Sequence, residues 1–164
     1  MVKSYFLALS FLFTMSPQAK SCKQFCASLK VTVTKLRSKK GKVRILLAKD
    51  AKNFQANNPK DVDAGKVFFR ETPADQDRIL FVFPTLDSGD YAFKVIHDEN
   101  NNQILDTNLL GIPTEGLAVS HQPKMRPNMV NFDKAKFQIR ASQTKVFEIP
   151  MLYAKGQSKL KNKN

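Results

Sequence analysis

The chain has 164 residues, 42% of them hydrophobic, with 27 Lys and Arg against 14 Asp and Glu, a formal net charge of +13 at pH 7. That length holds one domain with a real core. Two cysteines and two histidines without zinc spacing leave no basis for a zinc site, and a basic excess favours anionic partners as readily as it favours plain solubility.

At the N-terminus, Met1-Val2-Lys3 precedes a nearly unbroken apolar run from Tyr5 to Met15. One positive charge, about ten apolar residues and then small or polar residues make a cleavable signal peptide. A membrane span needs roughly 18 or more apolar residues, so no transmembrane span is expected. Residues 1–21 are read as this signal, which makes the protein exported, periplasmic or extracellular. Ala19 and Ser21 take the small-residue positions and Cys22 becomes the new N-terminus. Lipid anchoring at Cys22 is the alternative, against which Lys20 stands. Cys22 and Cys26 can pair in an oxidising compartment, closing a loop too small to add much stability. Residues 22–28 are read as a flexible mature N-terminus.

Charge is unevenly spread. Between Lys20 and Lys52 the only acid is Asp50, whereas between Asp61 and Glu115 the only bases are Lys66, Arg70, Arg78 and Lys94. Hydrophobic periodicity is two, not 3.6. Leu29, Val31 and Val33 alternate with polar residues, and after Ser38-Lys39-Lys40-Gly41 the alternation resumes at Val43, Ile45 and Leu47. A hairpin is the natural reading, with Lys35, Arg37, Lys39, Lys40 and Lys42 crowding its tip as candidate anion-binding residues. Asn53 to Asp63 is a loop, and Val67 to Arg70 a short strand. Ile79, Phe81 and Phe83 form a strand face closed by Pro84. Asp87-Ser88-Gly89-Asp90 turns the chain into a strand of Tyr91, Phe93 and Val95. Residues 98–134 form one long irregular region, and Phe137 with Ile139, then Phe147, Ile149 and Met151, supply the last strands. No helix is expected beyond a turn near 51–54 or 131–135. The sum is an all-β chain: a single small antiparallel β-sandwich over 29–153, followed by a basic, disordered tail at 154–164 with Lys155, Lys159, Lys161 and Lys163.

An irregular region that long inside a small domain tends to be functional. It opens with His97-Asp98-Glu99-Asn100-Asn101-Asn102-Gln103-Ile104-Leu105-Asp106. Oxygen-bearing side chains fall at Asp98, Asn100, Asn102 and Asp106, relative positions one, three, five and nine, and the Ile104 carbonyl stands at position seven. A hard cation such as calcium takes six to eight oxygens, and this is the spacing of an EF-hand loop. The sixth position is Gln103 rather than Gly, and the twelfth is Leu109 rather than Glu, so a further oxygen is sought from Glu115, Asn108 or water. The competing reading is a self-capped Asx-rich turn without an ion. His97, beside Asp98 at a strand end, reads first as a hydrogen-bonded structural residue and second as a weak binding candidate. Ser120-His121 is a pair of sequence neighbours, which does not make a nucleophile and base. The basic hairpin lacks interleaved aromatics, so no specific nucleic acid is expected.

Several motifs together resemble the domain of unknown function 2141 family. They are Gly89-Asp90-Tyr91-Ala92, His97-Asp98-Glu99-Asn100, Leu105-Asp106-Thr107-Asn108 and Gly111-Ile112-Pro113-Thr114-Glu115-Gly116. Phe132, Ala135 and Phe137, and the earlier Gly41-Lys42-Val43-Arg44 with Phe54, complete the set. The resemblance covers about 29–152. It implies a secreted bacterial protein of unassigned activity with a transthyretin-like or prealbumin-like sandwich, and members usually carry Gly at the position of Gln103. Three functional readings follow. The first is an exported, non-enzymatic module whose calcium-stabilised loop supports binding to a surface or partner. The second is a transthyretin-like small-molecule hydrolase using His97 and His121, although the tail lacks the Tyr-Arg-Gly-Ser terminus of the ureide hydrolases of that fold. The third is an electrostatic binder of an anionic glycan, lipid or other envelope polymer.

Overall fold

The computed structural model describes residues 26–56, 60, 62–121 and 131–154. The segment expected to be a signal peptide, Cys22 and the tail from Lys155 onward lie outside the described residues. Eight strands and two short helices follow one another: β1 (Ala27–Thr34), β2 (Lys42–Ala48), α1 (Ala51–Gln55), β3 (Val67–Pro73), β4 (Arg78–Leu86), β5 (Gly89–Asp98), β6 (Gly116–Val119), α2 (Phe132–Ala135), β7 (Phe137–Ile139) and β8 (Thr144–Pro150). They build two packed sheets, an all-β sandwich. One sheet has the order β4-β1-β8; the other runs β3-β2-β5-β6, with β7 also paired to β5. All pairings are antiparallel except β1 with β8.

Alternation explains the core between the sheets. Leu29, Val31 and Val33 of β1, Val43, Ile45 and Leu47 of β2, Ile79, Phe81 and Phe83 of β4, and Tyr91, Phe93 and Val95 of β5 all face inward. Phe93 meets Phe137 and Phe147 edge-on, at 5.8 and 5.2 Å between ring centroids, a geometry that suits the ring quadrupoles. The five-stranded sheet is covered on its outer face too. Leu46, Ala48, Ala92, Ile96, Leu117 and Val119 pack there under Phe54 of α1 and under Phe132 and Ala135 of α2. Being covered on both faces, β2 and β5 lose the polar half of the alternation.

Two expectations are corrected. Strands β1 and β2 are not a hairpin: β1 pairs with β4 and β8, and β2 with β3 and β5. The Lys35–Gly41 connection instead crosses between the sheets, with left-handed backbone at Lys35 (φ 60°) and Gly41 (φ 69°). Alternation fixes which face of a strand is buried but not which neighbour it pairs with. The turn at 87–90 likewise joins strands of different sheets. Region 98–134 is also not wholly irregular, because β6 lies within it. Gly116–Val119 is buried throughout, so it carries no alternating signature.

Candidate functional site

The β5–β6 connection starts where β5 ends. Asp98 is the last residue of β5, paired with Lys42 and 1% exposed. Gly41 lies against it so closely that a Cβ there would stand 2.0 Å from the Asp98 carbonyl oxygen, so only glycine fits. Glu99 is tied to the Lys35–Gly41 connection by Arg37, whose Nε donates to it at 2.9 Å, and by the Ser38 hydroxyl. Leu105 packs against the outer core. Farther out, Thr107 bridges Pro113, and the Asn108 side chain accepts from the backbone N–H groups of Leu110 and Ile112, both at 3.0 Å. Leu109 and Leu110 form the tip of this small turn and project into solvent.

The sequence-predicted ligand residues come together in one hydrogen-bonded loop. Asp98 accepts from the N–H groups of Asn102 (3.1 Å) and Gln103 (2.9 Å). Asn100 Oδ1 accepts from Asn102 N–H, and Asn102 Oδ1 from Ile104 N–H, both at 3.0 Å. The side-chain amides of Asn100 and Asn102 donate to the two oxygens of Asp106 at 2.6 and 2.8 Å. Glu115, 4% exposed, reaches in from the far end and accepts from Glu99 N–H at 3.0 Å and Asp106 N–H at 3.3 Å. Gln103 adopts φ 71°, the left-handed turn for which glycine is the natural residue at this position.

Charge is only half balanced. Asp98 lies 3.5 Å from the buried Arg44, and Glu99 pairs with Arg37. Asp106 and Glu115 form no ion pair among the described residues. Burial pushes the Glu115 carboxyl above its ordinary range, and the like charges of Asp106 and Asp98 add to this against two backbone hydrogen bonds. No group of three or more His, Cys, Asp and Glu side chains among the described residues is gathered as a metal cluster; the donor set here mixes carboxylates with amides and one carbonyl.

The other predicted residues divide. Lys35, Lys39, Lys40 and Lys42 are exposed; Lys39 lies 3.6 Å from Asp77 and Lys42 2.6 Å from Glu71. Arg37 is half-buried and sits over the Tyr153 ring at 4.5 Å, so it belongs to the loop's foundation. His97 is fully buried, with Nδ1 2.7 Å from the Tyr153 hydroxyl and Nε2 2.9 Å from the Lys40 carbonyl. His121 lies beyond the other end of β6, against Phe137 and Phe147. Since His97 pairs with Gly116, about five strand rises, or ~17 Å, separate the two histidine positions along the sheet. His121 instead borders a cleft of about 430 Å³ between β6 and β8, with Ala118, Val119, Phe147, Glu148 and Leu152. The hydrolase reading therefore has no assembled histidine pair.

Residues 31–147 match the family described as Uncharacterized protein conserved in bacteria (DUF2141). The chain belongs to this family. The DUF2141 match spans both sheets and the whole β5–β6 connection. No curated protein and no solved structure gives a significant match. Within this DUF2141 domain, two buried cations escaped the reading of the sequence. Arg44 is 5% exposed, lies over Phe69 and leaves its Nε without a hydrogen bond, the Glu71 oxygen standing 3.5 Å away. Lys94 donates to the Ala56 carbonyl, and burial lowers its pKa to about 8. A single charge inside an otherwise apolar strand, as in Val43-Arg44-Ile45, is the signal that could have found them.

Proposed function

We propose that this DUF2141 protein is an exported, non-catalytic binding module. In this reading a calcium ion taken up by loop 98–106 and Glu115 fixes the tip at 109–112 for contact with a partner. The supporting observation is the pair Asp106 and Glu115, joined through the Asp106 N–H and without a cationic neighbour among the described residues. Asp98, Asn100, Asn102, Asp106 and Glu115 would offer side-chain oxygens, and Ile104 its carbonyl, which accepts from none of the described residues. That set meets the hard-oxygen demand of calcium. The amide oxygens of Asn100 and Asn102 each accept one N–H and keep a second lone pair. Bound calcium would supply the positive charge that Asp106 and Glu115 lack.

Titration calorimetry tests this directly. Calcium should bind saturably at one site, magnesium more weakly because it holds its waters and demands a tighter octahedron, and Asp106→Asn should abolish the calcium heat. Absence of a saturable heat, or one unchanged in Asp106→Asn, would overturn the reading. A second reading, an electrostatic binder of anionic polymers, is favoured by Lys35 and Lys40, which are exposed and make no ion pair among the described residues. It predicts retention on heparin that falls steeply with salt.

A further inference from the structure

The tip of the β5–β6 connection and the Lys35–Gly41 connection occupy the same end of the sandwich. The contacts that join them are Arg37 with Glu99, an Arg37 bond to the Thr114 carbonyl at 3.0 Å, and Gly41 against Asp98. At this end two adjacent leucines are almost wholly in water, Leu109 at 106% and Leu110 at 79% relative exposure, and Ile104 earlier in the same connection is also exposed. The same end carries the exposed Lys35, Lys39 and Lys40. We propose that this end docks on an anionic phospholipid surface, Leu109 and Leu110 entering the interface while the lysines meet the headgroups. The proposal rests on the reading of the loop as a partner-binding device and names its partner.

The shape of the tip selects the partner. Asn108 holds Leu109 and Leu110 on a narrow, convex turn, whereas a stable protein–protein interface buries about 1,600 Å² in total. A bilayer needs no preformed pocket, because its acyl boundary closes around whatever apolar group enters. A glycan gains little from leucine, which offers it neither a hydrogen bond nor an aromatic face. Apolar groups entering the headgroup boundary beside lysines combine burial with attraction to anionic lipid. Leu80, Val82 and Val146 are also exposed, but they lie on the outer face of the three-stranded sheet, with Lys30 in register between Val82 and Val146. They form no projecting tip and provide an internal control.

The probe is co-sedimentation of the exported, processed chain with vesicles of phosphatidylcholine alone or mixed with phosphatidylglycerol, in calcium and in EDTA. Binding is expected on the anionic vesicles only. It should fall ~10-fold or more in Leu109→Asp/Leu110→Asp, fall less in Lys39→Glu/Lys40→Glu, and hold in Leu80→Asp. The chain has no tryptophan, so Leu110→Trp reports insertion directly through a blue shift of its emission on anionic vesicles. Equal binding by the double aspartate variant, equal loss in Leu80→Asp, or heparin binding without vesicle binding would each overturn the proposal. Vesicle binding that persists in EDTA would support it while removing calcium from the account. A retained calcium heat without vesicle binding would do the reverse.

Discussion

Two connections of the five-stranded sheet are made from the same kinds of residue and end in different electrostatic states. In the β2–β3 connection, Asp50 caps α1 by accepting from Asn53 N–H at 2.9 Å, and Asn53 Oδ1 accepts from Asp63 N–H at 2.7 Å. Asp50 and Asp63 each have a lysine: Lys66 lies 3.7 Å from Asp50, and Lys52 2.8 Å from Asp63. The β5–β6 connection uses Asp98, Asn100, Asn102 and Asp106 in the same kind of side chain-to-backbone bonds, yet Asp106 and Glu115 pair with no cation among the described residues. Asx chemistry closes a loop in both places. Charge balance is what separates the two turns, and the unbalanced one is the loop proposed above to take an ion.

The largest expected effect comes from breaking the foundation of the second connection. Gly41→Ala forces a Cβ onto the Asp98 carbonyl and strains a left-handed residue, and should cost ~3 kcal/mol or more by chemical denaturation. An equal stability would show that the Lys35–Gly41 and β5–β6 connections do not bear on each other there. Next comes the cation beneath the first connection. Lys94 has its pKa lowered from 10.5 to about 8 by burial, so between those values the unfolded chain holds the extra proton and stability rises with pH. Charging it costs on the order of 3 kcal/mol, part of which the Ala56 carbonyl recovers. Lys94→Met should therefore raise stability at neutral pH by ~1–3 kcal/mol and flatten the slope between about 8 and 10.5. A slope that survives the substitution would assign it to another group.

How much of this contrast was legible beforehand differs between the regions. The inward faces at Leu29–Val33, Ile79–Phe83 and Tyr91–Val95 follow from alternation, and the two stretches at which the sequence admits at most a turn of helix each carry one. The spacing Asp98, Asn100, Asn102, Asp106 named the loop, and the structure gathers all four with Glu115. Pairing partners were not legible, because β1 and β2 carry the same one-sided pattern whether or not they adjoin. Strand β6 was hidden because all four of its residues are buried. Arg44 and Lys94 stand out in the sequence as lone charges in apolar strands, but what covers them is not written in the strand; the layer of α1, α2 and loops supplies that.

Smaller effects sharpen the comparison further. Asp50→Ala removes the cap of α1 and should cost ~1 kcal/mol. The hydrogen bond from Asn53 N–H lowers the Asp50 pKa below 3.8, so this contribution is present above that value and is lost as pH falls through the lowered one. An acid titration of wild type against Asp50→Ala checks it: the two curves should converge only at strongly acid pH. Gln103→Gly relaxes the residue at φ 71° and should change stability by at most ~1 kcal/mol, since backbone entropy opposes the relief of strain. Calcium affinity should not fall in that variant.

The most direct test of the central claim is a thermal melt in EDTA and in calcium, run on wild type, Asp106→Asn and Asp63→Asn. Calcium at ~100 times its dissociation constant should add about 2.7 kcal/mol, a rise of roughly 5–15 °C for a domain of this size. The shift should vanish in Asp106→Asn and persist in Asp63→Asn, whose carboxylate already has its lysine. Identical melts in calcium and EDTA, or a shift that survives Asp106→Asn, would contradict the account and leave the β5–β6 connection as a self-capped turn like its counterpart.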